Sequence, residues 1–472
     1  MTEPSATADL QDRFLRQHQA SRQAPVVPLA LRRDRLQRLQ ALLASEAARL
    51  CAAVQADFGV RSADVTRLSE LMPLQWQLQQ GLRRLPAWMR ERRVRTPLPL
   101  QAASAVLQPQ PLGVVGVIAP WNYPVQLALG PAVAALAAGN RVLLKPSEHT
   151  PQTAACLAEL LAARFDPAEL DVVTGDAAVA RAFSALRVDH LVFTGSPGVA
   201  RQVAMAAAAN LVPTTLELGG KSPCVLDASV DLARAMPSIV NGKLLNCGQT
   251  CIAPDYVLLP RGREQAFAEA FDATVQRMYP RIAGNPDYTA LLDARGLARM
   301  QALLHDARHH GGRVHICGND GPAASGARQM APALVLNAHA GMRVLQEEIF
   351  GPILPVLPYD TLDQAIAHIN AGPRPLALYW FGQDAARQAQ VLQQTTSGSV
   401  AVNDTLMQFV HENLPFGGVG ESGWGAYHGE AGFLRFSHLK PVFRQSRWNA
   451  GGVFHPPYGA GMRRMLAWLA RL

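Results

Sequence analysis

An alternation of short apolar segments with helix-like segments between residues 113 and 227 constrains the fold more than any other feature of this chain. Each apolar segment has the length of a strand, and the segments between them have apolar residues at helical spacing. The predicted strands cover residues 113–119, 141–144, 170–174, 190–193 and 214–218. Strands this apolar, separated by helices, predict a parallel sheet with both faces covered. Ligands of such sheets bind at the carboxyl ends of the strands, so we expect a binding site there.

A second α/β unit is predicted between residues 231 and 400, where the alternation begins again. Residues 8–90 are typical of amphipathic helices, and residues 98–107 of a strand or hairpin. A glycine-rich stretch covers residues 417–429, and a short basic amphipathic helix ends the chain. The predicted fold class is therefore α/β, with a Rossmann-like domain, a second α/β domain and a small β element.

Composition excludes several other classes of protein. Lys and Arg number 44 against 36 Asp and Glu, but these basic residues are scattered, so nucleic-acid binding is not expected. The six cysteines show no C-x-x-C pair and no Cys/His zinc pattern, so we expect neither a disulfide framework nor a metal. The N-terminus is polar, and no stretch of about 20 apolar residues predicts a membrane span. We therefore expect a protein of the reducing cytoplasm.

Cys251 is the candidate catalytic nucleophile. It ends the stretch Asn-Cys-Gly-Gln-Thr-Cys at residues 246–251, directly after an apolar helical segment at 232–245. A thiol attacks a carbonyl as the thiolate, so its surroundings must lower its pKa or supply a base. A cysteine in a loop more often packs inertly, and the interpretation therefore depends on what accompanies it.

Two polar residues near predicted strand ends have the chemistry that such a thiol needs. Glu217 lies at an apolar strand end before two glycines, where burial would raise its pKa and suit it to act as a general base. Pairing with Lys221 is the structural alternative for this carboxylate. Asn122 follows the strand at 113–119, and its amide can donate to a developing oxyanion. Because Asn122 lies in the sequence PWNYP, turn formation is the alternative there.

Three further stretches have residues that suit a nucleotide. Lys145 and Glu148, in LKPSE at 144–148, could bind a ribose. The sequence FTGSPG at 193–198 places a glycine-containing turn before a helix, where a phosphate can be received. The sequence EEIFGP at 347–352 could meet a ribose and a planar ring, or form a solvated loop. Each motif alone is weak.

Taken in order, PWNYP, KPSE, FTGS, LELGGKSP, GQTC, EEIFGP and LPFGGVGESG resemble the NAD(P)-dependent aldehyde dehydrogenase superfamily, over about residues 110–440. The sequence is similar to the short, class-3-type branch, and its last 37 residues, from Phe436, are most similar to bacterial coniferyl aldehyde dehydrogenases. The turn after Ser196 departs from the family, because Ala200 stands where a glycine is common.

The resemblance implies a role for each motif. Cys251 would attack an aldehyde, Asn122 and the backbone N–H of Cys251 would hold the oxyanion, and Glu217 would activate the water that hydrolyses the thioester. The resemblance also implies NAD as the cofactor, with NADP possible. Its expected contacts are Trp121, Lys145, Glu148, Gly195, Ser196, Leu218, Glu348 and Phe350. Among these, Glu148 favours NAD because a carboxylate near the adenosine ribose repels a 2′-phosphate.

The resemblance further implies a domain division and a homodimer. Residues 1–98 and 118–217 would form the NAD-binding domain, and 218–403 the catalytic domain. Residues 99–117 and 404–445 would form the oligomerisation element, and 446–472 a C-terminal tail. The tail is too short to span a membrane, and contact with a membrane surface or docking on the protein are its alternatives.

Two rival functions and one thiol pair stay open at this point. The acyl group could pass to coenzyme A, although Glu217 argues against this because hydrolysis needs a base. A non-catalytic NAD-binding or structural protein is the other rival, and Cys251, Glu217 and Asn122 argue against it. Cys247 precedes Cys251 by four residues, so a helical segment would make the thiols neighbours, able to form a protective disulfide. Packing of a small residue is the alternative for Cys247.

Overall fold

A computed structural model describes residues 4–97, 100, 102–319, 328–449, 452 and 455–471. The strands, numbered β1 to β16 in chain order, are Arg92–Val94, Ser104–Pro111, Val114–Ile118, Arg141–Lys145, Leu170–Val172, His190–Gly195, Thr214–Leu218, Pro223–Leu226, Tyr256–Pro260, Arg313–Ile316, Ala333–Leu336, Ile353–Tyr359, Ala377–Phe381, Ser399–Val402, Gly423–Trp424 and Ser437–Arg444.

The α-helices, numbered α1 to α18 in chain order, are Pro4–Gln23, Leu29–Ser45, Ala47–Phe58, Ala63–Thr66, Met72–Trp88, Gln126–Ala137, Pro151–Ala162, Ala177–Ser184, Pro197–Ala209, Leu232–Leu244, Glu264–Met278, Ala294–His309, Arg343–Gln346, Leu362–Ala371, Ala385–Gln394, Met407–Val410, Gly429–Arg435 and Ala460–Leu469. A π-helical turn, Arg67–Leu71, joins α4 to α5. Short 3₁₀ turns cover Leu245–Gly248 and Gly420–Ser422.

The first α/β unit is a six-stranded sheet in the order β15-β7-β6-β3-β4-β5. Its strands are parallel except β15, which pairs antiparallel with β7 at the edge. The parallel sheet predicted for residues 113–227 is therefore confirmed, and β7 has the predicted bounds. Every residue of α6 is buried, because this helix packs against β3 and β4 on one side and against α2, α5 and α17 on others. Its sequence is accordingly apolar all round.

The second unit is a seven-stranded sheet in the order β10-β11-β12-β9-β8-β13-β14. It is parallel except for β10, which pairs antiparallel with β11 at one edge. The sequence pattern of this unit predicts a strand at 333–336 and a helix at 385–394, and β11 and α15 have these bounds. The sequence prediction missed β13, all of whose residues are buried, because such a strand shows no alternation of polar and apolar residues.

A third, antiparallel sheet has the order β1-β2-β16. The strand expected near residues 98–107 is β2, which pairs with β16 along its whole length. Residues 98, 99 and 101 of the expected hairpin lie outside the described residues. The expected division between residues 117 and 118 would cut β3, which lies inside the six-stranded sheet. We therefore propose that the first unit resumes at Val114 and that the small element keeps β2.

The C-terminal helix α18 is short and exposes Leu466 and Trp468. Among the helices that the structure describes, none is both long enough and apolar enough to cross a membrane.

Candidate active site

The loop that bears Cys251 leaves α10 through an unusual backbone turn. Asp231 caps the start of α10, because its side chain accepts hydrogen bonds from Ala233 N and Arg234 N. After the helix ends, Asn246 and Cys247 have φ angles of 54° and 57°, in the left-handed region. Such angles are uncommon for residues with a side chain and concentrate at functional sites. Beyond this turn, Cys251 lines a cavity.

Glycine is required at position 248 within the same turn. Gly248 has a φ angle of +75°, and a Cβ atom there would lie 2.4 Å from the carbonyl oxygen of Gly351. The close approach holds the loop at 246–251 against the turn at 351 and 352. Backbone position therefore explains the glycine of the Asn-Cys-Gly-Gln-Thr-Cys stretch.

The two cysteines of this loop have different surroundings. Cys247 is buried, and its sulfur lies 3.8 Å from the Tyr288 hydroxyl oxygen. Cys251 is partly exposed and lines the cavity, and both thiols are free. The expectation that a helical segment makes them neighbours is wrong, because Cys247 has a positive φ angle and a 3₁₀ turn replaces the helix. The surroundings of Cys247 agree with packing of a small residue.

Asn122 lies beside the nucleophile loop, as the sequence predicted. Its side-chain amide donates to the carbonyl oxygen of Gln249 over 3.1 Å, and Asn122 is 3% exposed. In turn, Asn246 donates from its side chain to the carbonyl oxygen of Asn122 over 2.9 Å. A hydrogen bond of 2.6 Å between the hydroxyl groups of Tyr123 and Thr250 joins the same two loops again. The amide of Asn122 is therefore held against Gln249, which precedes Cys251 by two residues.

Burial makes Cys251 a poor acid in the resting protein. Burial, followed by the carboxylates of Glu348 and Glu217, raises the pKa of its thiol to about 12. The backbone N–H groups of Cys251 and Ile252 act in the opposite direction. These N–H groups point towards the sulfur and stabilise its anion, but a base is still needed to form the thiolate.

Glu217 is a buried carboxyl group without a hydrogen-bond partner among the described residues. It lies near the carboxyl end of β7 and is 2% exposed, and neither of its oxygens accepts a hydrogen bond. Burial raises its pKa well above the ordinary value, partly opposed by Arg435. Across the sheet edge, Gly423 opposes Glu217, and a Cβ atom on Gly423 would lie 1.9 Å from the carbonyl oxygen of Leu216. The glycine lets the backbone of β15 approach β7 closely beside Glu217.

The alternative partner of Glu217 is engaged elsewhere. Lys221 pairs with Asp255, and its ammonium donates to the carbonyl oxygens of Val344 (2.8 Å) and Glu347 (3.1 Å). The pairing of Glu217 with Lys221 is therefore wrong. A buried, unpartnered carboxyl with a raised pKa is typical of a functional group rather than a structural one.

The carboxyl ends of β4 and β6 have residues with the chemistry of a nucleotide site. Lys145 is buried, and its ammonium lies 2.9 Å from a carboxylate oxygen of Glu148. Although burial opposes ionisation, hydrogen bonds from its own backbone and from Lys145 lower the pKa of Glu148. Ser196 precedes α9 without capping it, and a Cβ atom on Gly198 would meet nothing within 4 Å. An open helix N-terminus and a Lys–Glu pair at the carboxyl ends of strands in one sheet fit a dinucleotide.

The other expected cofactor residues lie on adjoining segments. A Cβ atom on Gly219 would fall 2.2 Å from a carboxylate oxygen of Glu348, whose pKa is raised to about 8 by burial and then by Asp255. Phe350 has a φ angle of 51°, and its ring meets the ring of Trp121 edge to face at 5.5 Å. Leu218 is buried at the end of β7, and Gly195 ends β6. The structure thus brings all of the expected cofactor residues onto strand ends of the first sheet and the segments that pack beside them.

Two cavities meet the paired loops without sharing a lining residue. The larger, of about 230 Å³, includes Cys251 and is mostly apolar. It is lined by Leu68, Ser69, Met72, Pro73, Trp76, Tyr123, Gln126, Leu127, Asn241, Leu245, Thr250, Cys251, Ile252, Leu406, Met407, Phe409 and Val410. The smaller, of about 170 Å³, includes Trp121, Gln249 and Phe350. Neighbouring residues of one loop therefore face different cavities.

Sequence reasoning missed a buried ion pair that positions both loops. Arg61 and Glu70 are fully buried and 2.7 Å apart. Arg61 also donates to the carbonyl oxygen of Asn122 (2.7 Å) and to the side chain of Asn246 (3.2 Å). Glu70 accepts from the backbone N–H groups of Val125 (2.8 Å) and Gln126 at the start of α6. Neither residue lies in a motif, so the sequence offered no signal for them.

Comparisons with known proteins agree with this geometry. The aldehyde dehydrogenase family model matches residues 3–442. A coniferyl aldehyde dehydrogenase of Pseudomonas sp. (strain HR199) is 46% identical over 445 residues, covering 93% of this chain and 92% of that protein. The substrate-bound structure of Staphylococcus aureus AldH has a TM-score of 0.92 at 33% identity, covering 98% of this chain and 99% of that one.

A second solved structure bears on the cofactor. The Mycobacterium tuberculosis aldehyde dehydrogenase complexed with NAD+ has a TM-score of 0.83 at 28% identity, covering 93% of this chain and 90% of that one. The extent of these matches confirms the resemblance inferred from the motifs and the α/β fold. The chain belongs to the aldehyde dehydrogenase family and is an enzyme that oxidises an aldehyde to the carboxylic acid with a nicotinamide cofactor.

Proposed function

We propose that the substrate is an aromatic aldehyde such as coniferaldehyde, or a medium-chain aliphatic aldehyde, and that NAD is the preferred cofactor. The observation that carries the proposal is the apolar cavity of about 230 Å³ that Cys251 lines. Trp76, Met72 and Phe409 line it, so a hydrophobic body is favoured over a small polar one. The related coniferyl aldehyde dehydrogenase supports the aromatic choice.

Cys251, Asn122 and Glu217 would perform the chemistry. As the sulfur bonds to the aldehyde carbon, its proton passes through water to the solvent, and the side-chain amide of Asn122 and the backbone N–H of Cys251 hold the oxyanion. Bound NAD supplies the hydride acceptor. The ionised Glu217 then takes a proton from the water that attacks the Cys251 thioester and gives a proton to the departing sulfur, which releases the acid and the free thiol. The unpartnered carboxyl of Glu217 supports hydrolysis over transfer to coenzyme A.

The cleft beside Lys145 would hold the adenosine end of the cofactor. Its Lys145–Glu148 pair would accept and donate hydrogen bonds at the ribose hydroxyls, and Ser196 would contact a phosphate at the start of α9. The lowered pKa keeps Glu148 charged, so a 2′-phosphate would be repelled. Glu348, Phe350, Trp121, Gly195 and Leu218 would position the rest of the cofactor.

An aldehyde panel tests the substrate proposal. NADH formation is measured with coniferaldehyde, benzaldehyde, hexanal and acetaldehyde, with and without coenzyme A. We expect kcat/KM to be highest for an aromatic or medium-chain aldehyde, and coenzyme A to change nothing. The highest value for acetaldehyde would contradict the substrate class, and a requirement for coenzyme A would contradict hydrolysis by Glu217.

The variant Trp76→Ala ties the panel to the cavity. Trp76 lies on α5 and contributes an aromatic face to the cavity wall. Losing the burial of one aromatic side chain, about 1.5–3 kcal/mol, should raise KM for coniferaldehyde roughly 10- to 100-fold. Acetaldehyde, which is too small to reach this wall from Cys251, is the internal control and should keep its KM. An equal change for both aldehydes would place the aromatic substrate elsewhere.

The C-terminal tail and the dimer are proposals of the same kind. The small sheet β1-β2-β16 would form the dimer contact.

Contact of α18 with a membrane surface stays a prediction, supported by its exposed Leu466 and Trp468 beside Arg463 and Arg464. Flotation with liposomes that is unchanged by deletion of residues 460–472 would contradict the membrane contact.

A further inference from the structure

We propose that Asp272, His315 and Cys317 bind a divalent transition-metal ion of the Zn²⁺ type at the edge of the seven-stranded sheet. One ligand atom of each side chain lies within 4.8 Å of the others. The Nε2 atom of His315 is 3.4 Å from Oδ2 of Asp272. None of the three residues lines the cavity that contains Cys251.

Local structure explains why these side chains converge. His315 lies in the edge strand β10, and Cys317, two residues after His315, directly follows that strand. Since side chains alternate along a strand, residues two apart point to the same side. The backbone N–H of Cys317 donates to Pro332 O over 2.8 Å and holds the cysteine at the strand end. Helix α11 packs over this side and carries Asp272.

The carboxylate is held in a position to bind a cation. Its Oδ1 atom accepts a hydrogen bond of 2.7 Å from the backbone N–H of Gly318, so Oδ2 is the atom that faces His315. A backbone hydrogen bond of this kind orients metal-binding carboxylates in known sites. Gly318 has a φ angle of +89°, which directs its N–H towards the helix.

An ordinary His–Asp ion pair does not account for the geometry. The Nε2 atom of His315 is shielded from solvent, yet it makes no hydrogen bond within the described residues despite its closeness to Asp272. The Cys317 side chain is 1% exposed, and its sulfur is 4.0 Å from the carbonyl oxygen of His315, long even for a thiol donor. An imidazole nitrogen, a carboxylate oxygen and a sulfur therefore lie within 4.8 Å of one another.

The ligand set selects the class of ion. Thiolate and imidazole favour Zn²⁺ and its neighbours over Ca²⁺ and Mg²⁺, which prefer oxygen. In a tetrahedral zinc site the bond lengths of about 2.0–2.3 Å require only a small contraction of the present cluster. Binding forms one bond each to sulfur, nitrogen and oxygen and releases the Cys317 proton to solvent, and water completes the fourth position.

The absence of a zinc pattern in the sequence is explained by the spacing. A His-x-Cys pair is two ligands short of the usual motifs, and Asp272 precedes His315 by 43 residues (315 − 272). The sequence therefore predicts no metal, because zinc patterns are defined by ligands that lie close together in the chain. A bound ion would join α11 to the edge strand and stabilise the folded state by mass action.

Metal titration of the full-length protein tests the site. The Cys251→Ala variant, stripped with a chelator, is titrated with Zn²⁺ by calorimetry and with Co²⁺ by absorption, so that the active-site thiol does not compete. We expect one equivalent to bind, with a sulfur-to-cobalt charge-transfer band and a rise in Tm. Because Cys317 is in the core, His315→Gln and Asp272→Asn are measured beside Cys317→Ser, with folding checked by circular dichroism.

A matched surface pair provides the control. His310 lies 3.5 Å from Asp306, a His–Asp pair of similar separation, and no cysteine belongs to it. We expect His310→Gln to bind as tightly as its parent, and each cluster variant that folds to bind at least 10-fold more weakly. No stoichiometric binding, absence of the charge-transfer band, or equal binding by folded His315→Gln would overturn the proposal.

Discussion

Burial holds the proton on both acidic groups at the reacting centre. It raises the pKa of the Cys251 thiol to about 12 and raises the pKa of the Glu217 carboxyl as well. Each anion also disfavours the other, because Glu217 is among the charges that raise the pKa of Cys251. Loss of the proton from only one of the two groups therefore avoids two neighbouring negative charges. The residue-scale predictions concern these two groups.

Replacing Cys251 removes the proposed nucleophile and leaves the expected cofactor residues unchanged. We expect Cys251→Ala to lower kcat for NADH formation by about 10³-fold or more, because no other group can form the thioester. NAD affinity, measured by fluorescence titration, should change less than about threefold. Cys156→Ala on α7 is the control and should keep its activity. Substantial dehydrogenase activity in Cys251→Ala would mean that another residue is the nucleophile.

Replacing Glu217 should separate the two halves of the reaction. In Glu217→Gln the thioester would form once and then hydrolyse slowly, since the general base is missing. Rapid-mixing measurements should show a burst of NADH followed by a steady rate lower by about 10²- to 10⁴-fold. The parent's activity should rise with pH as the carboxyl ionises, and the steady rate of the variant should lose this dependence. An unchanged pH profile would assign the base to another group.

The same carboxyl should make stability depend on pH. Because folding raises the pKa of Glu217, the folded state binds more protons than the unfolded state between the two pKa values. The free energy of unfolding should therefore fall as the pH rises from the unfolded value, about 4.3, to the folded one. Glu217→Gln should lose this contribution and exceed the parent's stability at alkaline pH, as measured by urea unfolding. Equal stability of both proteins across this range would contradict the raised pKa.

At the scale of elements, the Arg61–Glu70 pair joins the region between α3 and α5 to the start of α6 and to both catalytic loops. Arg61→Met leaves Glu70 buried without its partner, and losing one member of such a pair costs about 3–5 kcal/mol. We expect a lower Tm and, because the Asn122 loop loses a donor, a lower kcat. Thermal unfolding and NADH kinetics measure both effects.

An exposed ion pair provides the comparison for Arg61→Met. The pair Arg261–Asp360 lies on the surface, where a pair contributes about 0–1 kcal/mol. Arg261→Met should therefore leave Tm and kcat nearly unchanged. A similar small effect from Arg61→Met would show that the buried pair does not position the loops.

Elements were predictable where the pattern is local. The strands β7 and β11 and helix α15 have the expected bounds because turn residues flank a clear periodicity. The turn at Asn246 and Cys247 was not predictable, since its left-handed backbone depends on contacts with Asn122 and Gly351, far away in the chain. The site residues were recognised through their motifs, whereas Arg61 and Glu70 act through loop partners 55 or more residues away and belong to none.

At the scale of the whole molecule, the small sheet β1-β2-β16 presents apolar side chains to solvent. Phe443 on β16 and Val94 on β1 are 52% and 44% exposed. Exposed apolar residues on a sheet with open edges are typical of an interface. We expect Phe443→Asp to convert a dimer into a monomer with unchanged circular dichroism, as measured by light scattering after size-exclusion chromatography. A parent protein that is monomeric, or a variant that stays dimeric, would contradict this interface.

The two cavities that meet the paired loops share no lining residue, and this separation has a kinetic consequence. Tyr123, Thr250 and Cys251 face one cavity, whereas Trp121 and Gln249 face the other. A molecule that fills the apolar cavity therefore leaves the other entrance open. We therefore expect inhibitors shaped like the aldehyde to compete with aldehyde but not with NAD in steady-state kinetics.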